Sequence, residues 1–338
     1  MKRRILAVLL TICMVATLLP TAFAAEADTA LPAADENGVI TLINDVTITG
    51  QQLVFEADTT TVLDLNGHTL KISNYTAKAA QVSVSGTLTV TDSSAEKTGV
   101  ICSDYTGTSG NVIKVEKNGK LVISGGTITT EGMSKAGNAV HVASGAVVEM
   151  TGGAVKCDAK RGNYAVRVSG TFSMTGGAVT ADTGDGSETY IMAVYGGSGS
   201  TIGISGESVV SGPEAISGKY AQTSITGGTF TGAITVKAGS IAGGVFDREV
   251  ALASCASGYI PTQNADGTYG VTGGDYVAMV GETTYNTLQA AVDAAANGST
   301  VVMVGNTALT KPVVVSDKTL TLNLNGWTIN NESDIWDV

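Results

Sequence analysis

Charge, aromatic rings and histidine are all scarce in this chain. Of its 338 residues, 14% are charged and 5% aromatic, and histidine occurs only at positions 68 and 141. Two histidines rule out a His-rich metal site and leave little from which to build a catalytic triad. Nineteen Lys and Arg face 30 Asp and Glu, which argues against nucleic acid as a partner, because phosphate binding needs a basic face. Cysteine occurs four times, at Cys13, Cys102, Cys157 and Cys255, too far apart to form a disulfide framework. The last three read as small buried side chains. Beyond the first twenty residues no run is apolar enough to span a bilayer.

What is present begins with a leader. Lys2, Arg3 and Arg4 precede the apolar stretch from Ile5 to Leu19, and Ala22-Phe23-Ala24 fits a small-x-small cleavage site. A signal peptide over 1–24 is expected, with secretion as its consequence and no membrane association after cleavage. The leader carries three cations and no acid, so the mature chain is more acidic than the −11 of the whole sequence.

Glycine is abundant, at 43 residues, and much of it recurs in one phrase. Ser124-Gly125-Gly126-Thr127-Ile128 returns as Thr151-Gly152-Gly153-Ala154-Val155, as Thr175-Gly176-Gly177-Ala178-Val179 and as Thr226-Gly227-Gly228-Thr229-Phe230. A divergent copy is Ser205-Gly206-Glu207-Ser208-Val209, and a last one is Ala242-Gly243-Gly244-Val245-Phe246. Such periodic self-similarity marks a solenoid. Apolar residues flank each phrase: Ile123, Met150, Met174, Ile204, Ile225 and Ile241 before it, and Ile128, Val155, Val179, Val209, Phe230 and Phe246 at its end. Side chains of a strand alternate faces, so these are expected to form two inward rows. Spacings along the first row run from 16 to 30 residues, so loops of unequal length are inserted at the corners. A further strand precedes each phrase, as in Asn111-Val112-Ile113-Lys114-Val115 and Asn138-Ala139-Val140-His141-Val142. The fold class expected is all-β: a right-handed parallel β-helix of irregular rungs, eight or so, rising about 4.8 Å each.

A longer phrase also repeats. Leu63-Asp64-Leu65-Asn66-Gly67-His68-Thr69-Leu70 returns as Leu322-Asn323-Leu324-Asn325-Gly326-Trp327-Thr328-Ile329. Leu288, Ala291, Val292 and Ala295 share one helical face, which predicts a capping helix over 287–296, stopped by Asn297-Gly298. The organisation expected is a linker over 25–36, a β-helix module over 37–271 and an incomplete second module over 272–338, as part of a longer multi-module chain.

The Leu-Asp-Leu-Asn-Gly-His-Thr-Leu opening, the Gly-Gly rungs and the closure from Tyr259-Ile260-Pro261 to Asp266-Gly267-Thr268-Tyr269 resemble the secreted β-helix modules of Gram-positive surface proteins. Those modules are similar in fold to pectin lyases. The resemblance implies a non-catalytic, adhesin-like stalk or carbohydrate-contacting scaffold at a cell surface, with glycans or host polymers as partners. The alternative on the same fold is a polysaccharide lyase or glycoside hydrolase. A hydrolase needs two carboxylates facing each other across a groove, at most about 9.5 Å apart. The outward places before the first row hold Val122, Glu149, Ser173, Gly203 and Ser224, a single acid, so no catalytic residue, metal or cofactor is assigned.

The other strand offers Lys114, His141 and Arg167 at matching outward places, followed by Ala193 and Thr235. Like charges stacked side by side are unfavourable unless they are solvated or face an anion. The three are therefore the candidate ligand-binding residues, for an acidic glycan; the competing reading is a solvated face whose cations meet acids such as Glu116. Three weaker signals accompany them. The acidic loop Asp182-Thr183-Gly184-Asp185-Gly186-Ser187-Glu188 carries hard oxygen ligands without an EF-hand spacing. Tyr190 and Tyr195 flank one strand and could stack on a sugar. Thr87, Thr89 and Thr91 alternate as in ice-binding coils, but neighbouring rungs do not repeat them.

Overall fold

The computed structural model describes residues 29–76, 80–107, 109–133, 137–158, 164–182 and 191–331. The signal peptide, Tyr190, Asn163 and all but the first residue of the acidic loop lie outside them.

The main body is a parallel β-helix of three faces. The first full rung shows the plan, with strands Val39–Thr41, Val46–Thr49 and Leu53–Phe55 on successive faces. In the fifth rung the three are Val147–Met150, Ala154–Asp158 and Tyr164–Val168. In the later rungs the corners tighten until Gln222–Val236 runs through all three faces as one bent strand. Each strand pairs in parallel with its counterpart one rung on.

The inward rows follow that register. On the first face Leu63, Val90, Ile123, Met150, Met174, Ile204, Ile225 and Ile241 stack in sequence. On the second face the row is Val46, Leu70, Ile101, Ile128, Val155, Val179, Val210, Phe230 and Phe246. All of these are buried, in one continuous core. Phe230 and Phe246 stack with ring centroids 5.0 Å apart. Burial of such a row is the main favourable term, at roughly 25 cal/mol per Å² of apolar surface.

One member of the expected rows is wrong. Val209 is 43% exposed, and the inward place belongs to Val210, paired with Val179 and Phe230. The divergent phrase carries one extra corner residue: five separate Ile204 from Val210, where four separate Met150 from Val155. A one-residue slip moves a strand's side chains to the opposite face.

The glycine pairs sit where rungs stack backbone on backbone. Gly153 has φ +70°, and a Cβ there would lie 2.7 Å from the Gly126 carbonyl oxygen; Gly177, at φ +83°, would meet Gly152 and Gly153 equally closely. Both the left-handed backbone and the lack of space require glycine.

A hairpin of Tyr259–Gln263 and Tyr269–Gly273 follows, its end meeting the last rung where Phe246 pairs antiparallel with Tyr269. Beyond it a smaller unit has its own core of Ala278, Leu288, Ala291, Val292, Ala295, Val301 and Met303. Its helix α1, Leu288–Ala294, is N-capped by Thr287, whose side chain accepts from the Ala290 N–H. At the other end the Lys318 ammonium donates to the carbonyls of Val292, Asp293 and Ala295 at 2.8–2.9 Å. Helix α1 precedes the parallel strands Thr300–Met303 and Thr321–Asn323. The repeated phrase makes the same bonds in both places. Asn66 and Asn325, at φ +45° and +48°, each donate a side-chain N–H to a carbonyl one rung back, Leu42 and Met303 respectively. Leu63 and Leu65 are buried under the next rung, whereas Leu322 and Leu324 are 45% and 46% exposed.

Candidate functional site

The third face carries the chain's main outward chemistry. Its strands include Gly110–Val115, Gly137–Val142 and Tyr164–Val168. Each holds two consecutive buried apolar residues, Val112-Ile113, Ala139-Val140 and Ala165-Val166, and alternates after them. The residue after each pair therefore points out, and these are Lys114, His141 and Arg167. His141 is in register with both of the others. Parallel pairing spaces successive members by about 4.8 Å.

The column is not the one the sequence spacing implies beyond Arg167. The next place belongs to Tyr195, in register with Arg167, and then to Ser217 and Thr235. Ala193 is fully buried, one of the paired inward residues at the start of its strand. Tyr195 stacks on Tyr164 with centroids 4.5 Å apart and planes 16° from parallel. Burial, then the neighbouring Tyr195, raises the pKa of the Tyr164 hydroxyl, while Arg167 opposes.

Lys114, His141 and Arg167 line an open groove of about 390 Å³ together with Gln52, Ser83, Asn111 and Glu116. Lys114 Nζ lies 2.8 Å from Glu116 Oε2, and Ser83 Oγ donates to Glu116 Oε1 at 3.5 Å. Asn111, which lines the groove, accepts at its Oδ1 from Asn138 Nδ2 at 2.7 Å, both residues buried and in register. Burial first, then Arg167 and Lys114, push the pKa of His141 down to about 4, against the pull of Glu116. The imidazole is thus neutral at physiological pH and flanked by two cations.

Several acids elsewhere are committed to structure. Glu149 pairs with Lys120 at 2.8 Å. Asp92 is buried, which by itself raises its pKa; donors from Ser94, Gly99 and Gly67 outweigh burial and hold the carboxylate below its ordinary range. Asp64 accepts from the Asn66 and Ser93 N–H groups. Among the described residues no cluster of three His, Cys, Asp or Glu could hold a metal ion. Cys102 and Cys255 are free thiols, and Cys157 is buried. Thr89 lies between Val62 and Val122, so no threonine ladder forms there. No described helix is long and apolar enough to cross a membrane.

Two contributors escaped the sequence reading. Asn111 and Asn138 stand three residues before Lys114 and His141, a shared offset that marks them as a pair. Tyr164 carries no such mark, since its partner Tyr195 lies 31 residues further along the chain.

Fold and groove together define an all-β parallel β-helix with a cationic column on one outward face. Comparison with protein-family models, curated proteins and solved structures finds no match.

Proposed function

We propose that this chain is a non-catalytic extracellular β-helix module of a cell-surface protein, an adhesin-like scaffold that contacts carbohydrate along its third face. The observation that carries the reading is the in-register column of Lys114, His141 and Arg167 along an open groove. The leader at residues 1–24 supports secretion. The resemblance to Gram-positive surface modules supports the surface location and a longer, multi-module protein. The test is binding to an immobilised glycan panel by wild type and by the triple variant K114A/H141A/R167A. Binding lost in the variant supports the reading; equal binding by both proteins removes it.

One observation favours a second reading, a polysaccharide lyase. A neutral imidazole between two cations could accept the proton α to a uronate carboxylate whose charge the cations offset, as the C4–O4 bond breaks and a C4=C5 double bond forms. The expelled oxygen would take its proton from solvent. Growth of the ultraviolet absorbance of an unsaturated uronate on incubation with a polyuronate would establish this reading, and a flat trace would dispose of it.

A further inference from the structure

The column is half occupied by the protein's own carboxylate. Glu116 takes the Lys114 end at 2.8 Å, held also by Ser83. At the other end Arg167 has no ion-pair partner among the described residues, and its strand register places it directly beside His141. An internal carboxylate in one half shows which ligand chemistry this surface accepts, and the other half offers the same kind of cationic donor further along the column.

We propose that the space between His141 and Arg167 is a seat for a carboxylate of a uronic-acid polysaccharide, and that His141 takes up a proton when the seat is filled. The proposal rests on the carbohydrate-contact reading above and names the ligand class for that same groove.

Three physical points carry it. A guanidinium binds a carboxylate in a planar, two-pronged geometry, and charge-assisted bonds of this kind are about twice as strong as neutral ones. Rung spacing is close to the length of one pyranose unit, so successive sugars of a linear chain can travel with successive rungs, toward Ser83 on one side and Tyr195 on the other. The chain as a whole carries a formal charge of −11, so a polyanion is repelled from most of the surface and finds attraction only at a local group of cations.

The proton follows from the same geometry. The charged groups facing His141 are Arg167 from the following rung, and Lys114 and Glu116 from the preceding one. Its own strand, Gly137–Val142, contributes no other titratable side chain. In the free protein burial first, and then Arg167 and Lys114, keep the imidazole neutral. A carboxylate between His141 and Arg167 offsets the cationic charge and favours the imidazolium, which donates one ring N–H to it. Proton uptake on binding means that affinity rises as pH falls, until the pH nears 4 and the free protein protonates as well.

The experiment is calorimetric titration of the full chain with hyaluronan oligosaccharides, whose only charges are carboxylates, and with their methyl esters, which keep the backbone and lose the charge. Hyaluronan is expected to bind at least about tenfold more tightly than the ester. Its affinity should rise about fivefold or more between about pH 7.5 and about pH 5.5, with proton uptake visible as a dependence on buffer ionisation enthalpy. In H141N the ratio of the two affinities should fall to about one, and R167Q should weaken hyaluronan while leaving the ester unaffected; melting curves verify that both variants fold. Equal binding of the two polymers, or a pH gain that persists in H141N, overturns the carboxylate seat while leaving glycan contact intact. If neither polymer binds but the glycan panel gives binding that the triple variant loses, the seat is wrong and the scaffold reading stands. If the panel also gives nothing, both fall.

Discussion

Asn66 Nδ2 donates to the carbonyl oxygen of Leu42, 24 residues earlier and one rung back, at 3.1 Å. Asn66 is left-handed at this corner, with φ +45°. Two separable contributions meet in one side chain: an inter-rung hydrogen bond, and tolerance of a backbone conformation that most residues resist.

Substitution separates them. N66G keeps the backbone free and loses only side-chain bonding, the bond to Leu42 and the one accepted from the Ser93 hydroxyl at 3.3 Å, at about 1–2 kcal/mol. N66A loses the same bonds and also adds left-handed strain of roughly 1–2 kcal/mol. Melting temperatures should therefore fall in the order wild type, N66G, N66A, and equal losses in the two variants would contradict this account of the corner.

Val209 and Val210 test the register of the seventh rung. Val209 faces solvent and Val210 is fully buried between Val179 and Phe230. V209T should stay within about 0.5 kcal/mol of wild type. V210T places a hydroxyl in the core and should cost about 1–3 kcal/mol. Denaturant midpoints of the two variants measure the difference.

Gly153 and Gly199 are both left-handed, at φ +70° and +79°, but only Gly153 is crowded. Alanine at 199 meets open space and carries only the conformational cost, about 1–2 kcal/mol. Alanine at 153 must also displace the Gly126 backbone 2.7 Å away. G153A should melt several degrees below G199A, and coincident curves would show that the corner yields without cost.

The depressed His141 pKa makes stability pH-dependent in a defined direction. Unfolding releases the imidazole from burial and from Arg167 and Lys114, returning its pKa from about 4 to 6.5. Between these values the unfolded chain binds the proton and the folded chain does not, so stability falls as pH falls through that window. H141N should flatten this part of the stability profile, measured by thermal melts at steps from about pH 7 to about pH 4. Below that, the lowered pKa of Asp92 adds a further loss as its carboxylate protonates.

The inward rows were legible because strand alternation and the glycine phrase fix their phase together. Ile123, Met150 and Phe246 needed nothing more than period two and a turn signal. Phase is lost where alternation is broken. The strand Met192–Gly196 begins with the buried pair Ala193-Val194, and counting from its first residue sets the column on Ala193 instead of Tyr195. Val209 failed for the related reason that the divergent phrase holds one added corner residue, which reverses its faces. The groove's depth, the Asn111–Asn138 bond and the tyrosine stack arise from contacts between rungs, for which local sequence carries no spacing rule.

The unequal loops have one further consequence. Successive members of the first inward row lie 16 to 33 residues apart in the chain, yet each pairs with the next in parallel register. Vertical distance is metered by main-chain bonds, and added length is diverted sideways at the corners. The coil therefore works as a graduated rule. Segments can be lengthened, shortened or exchanged at its edges while the marks on each face keep their interval, so a pattern of charge on the third face can match a polymer of fixed repeat.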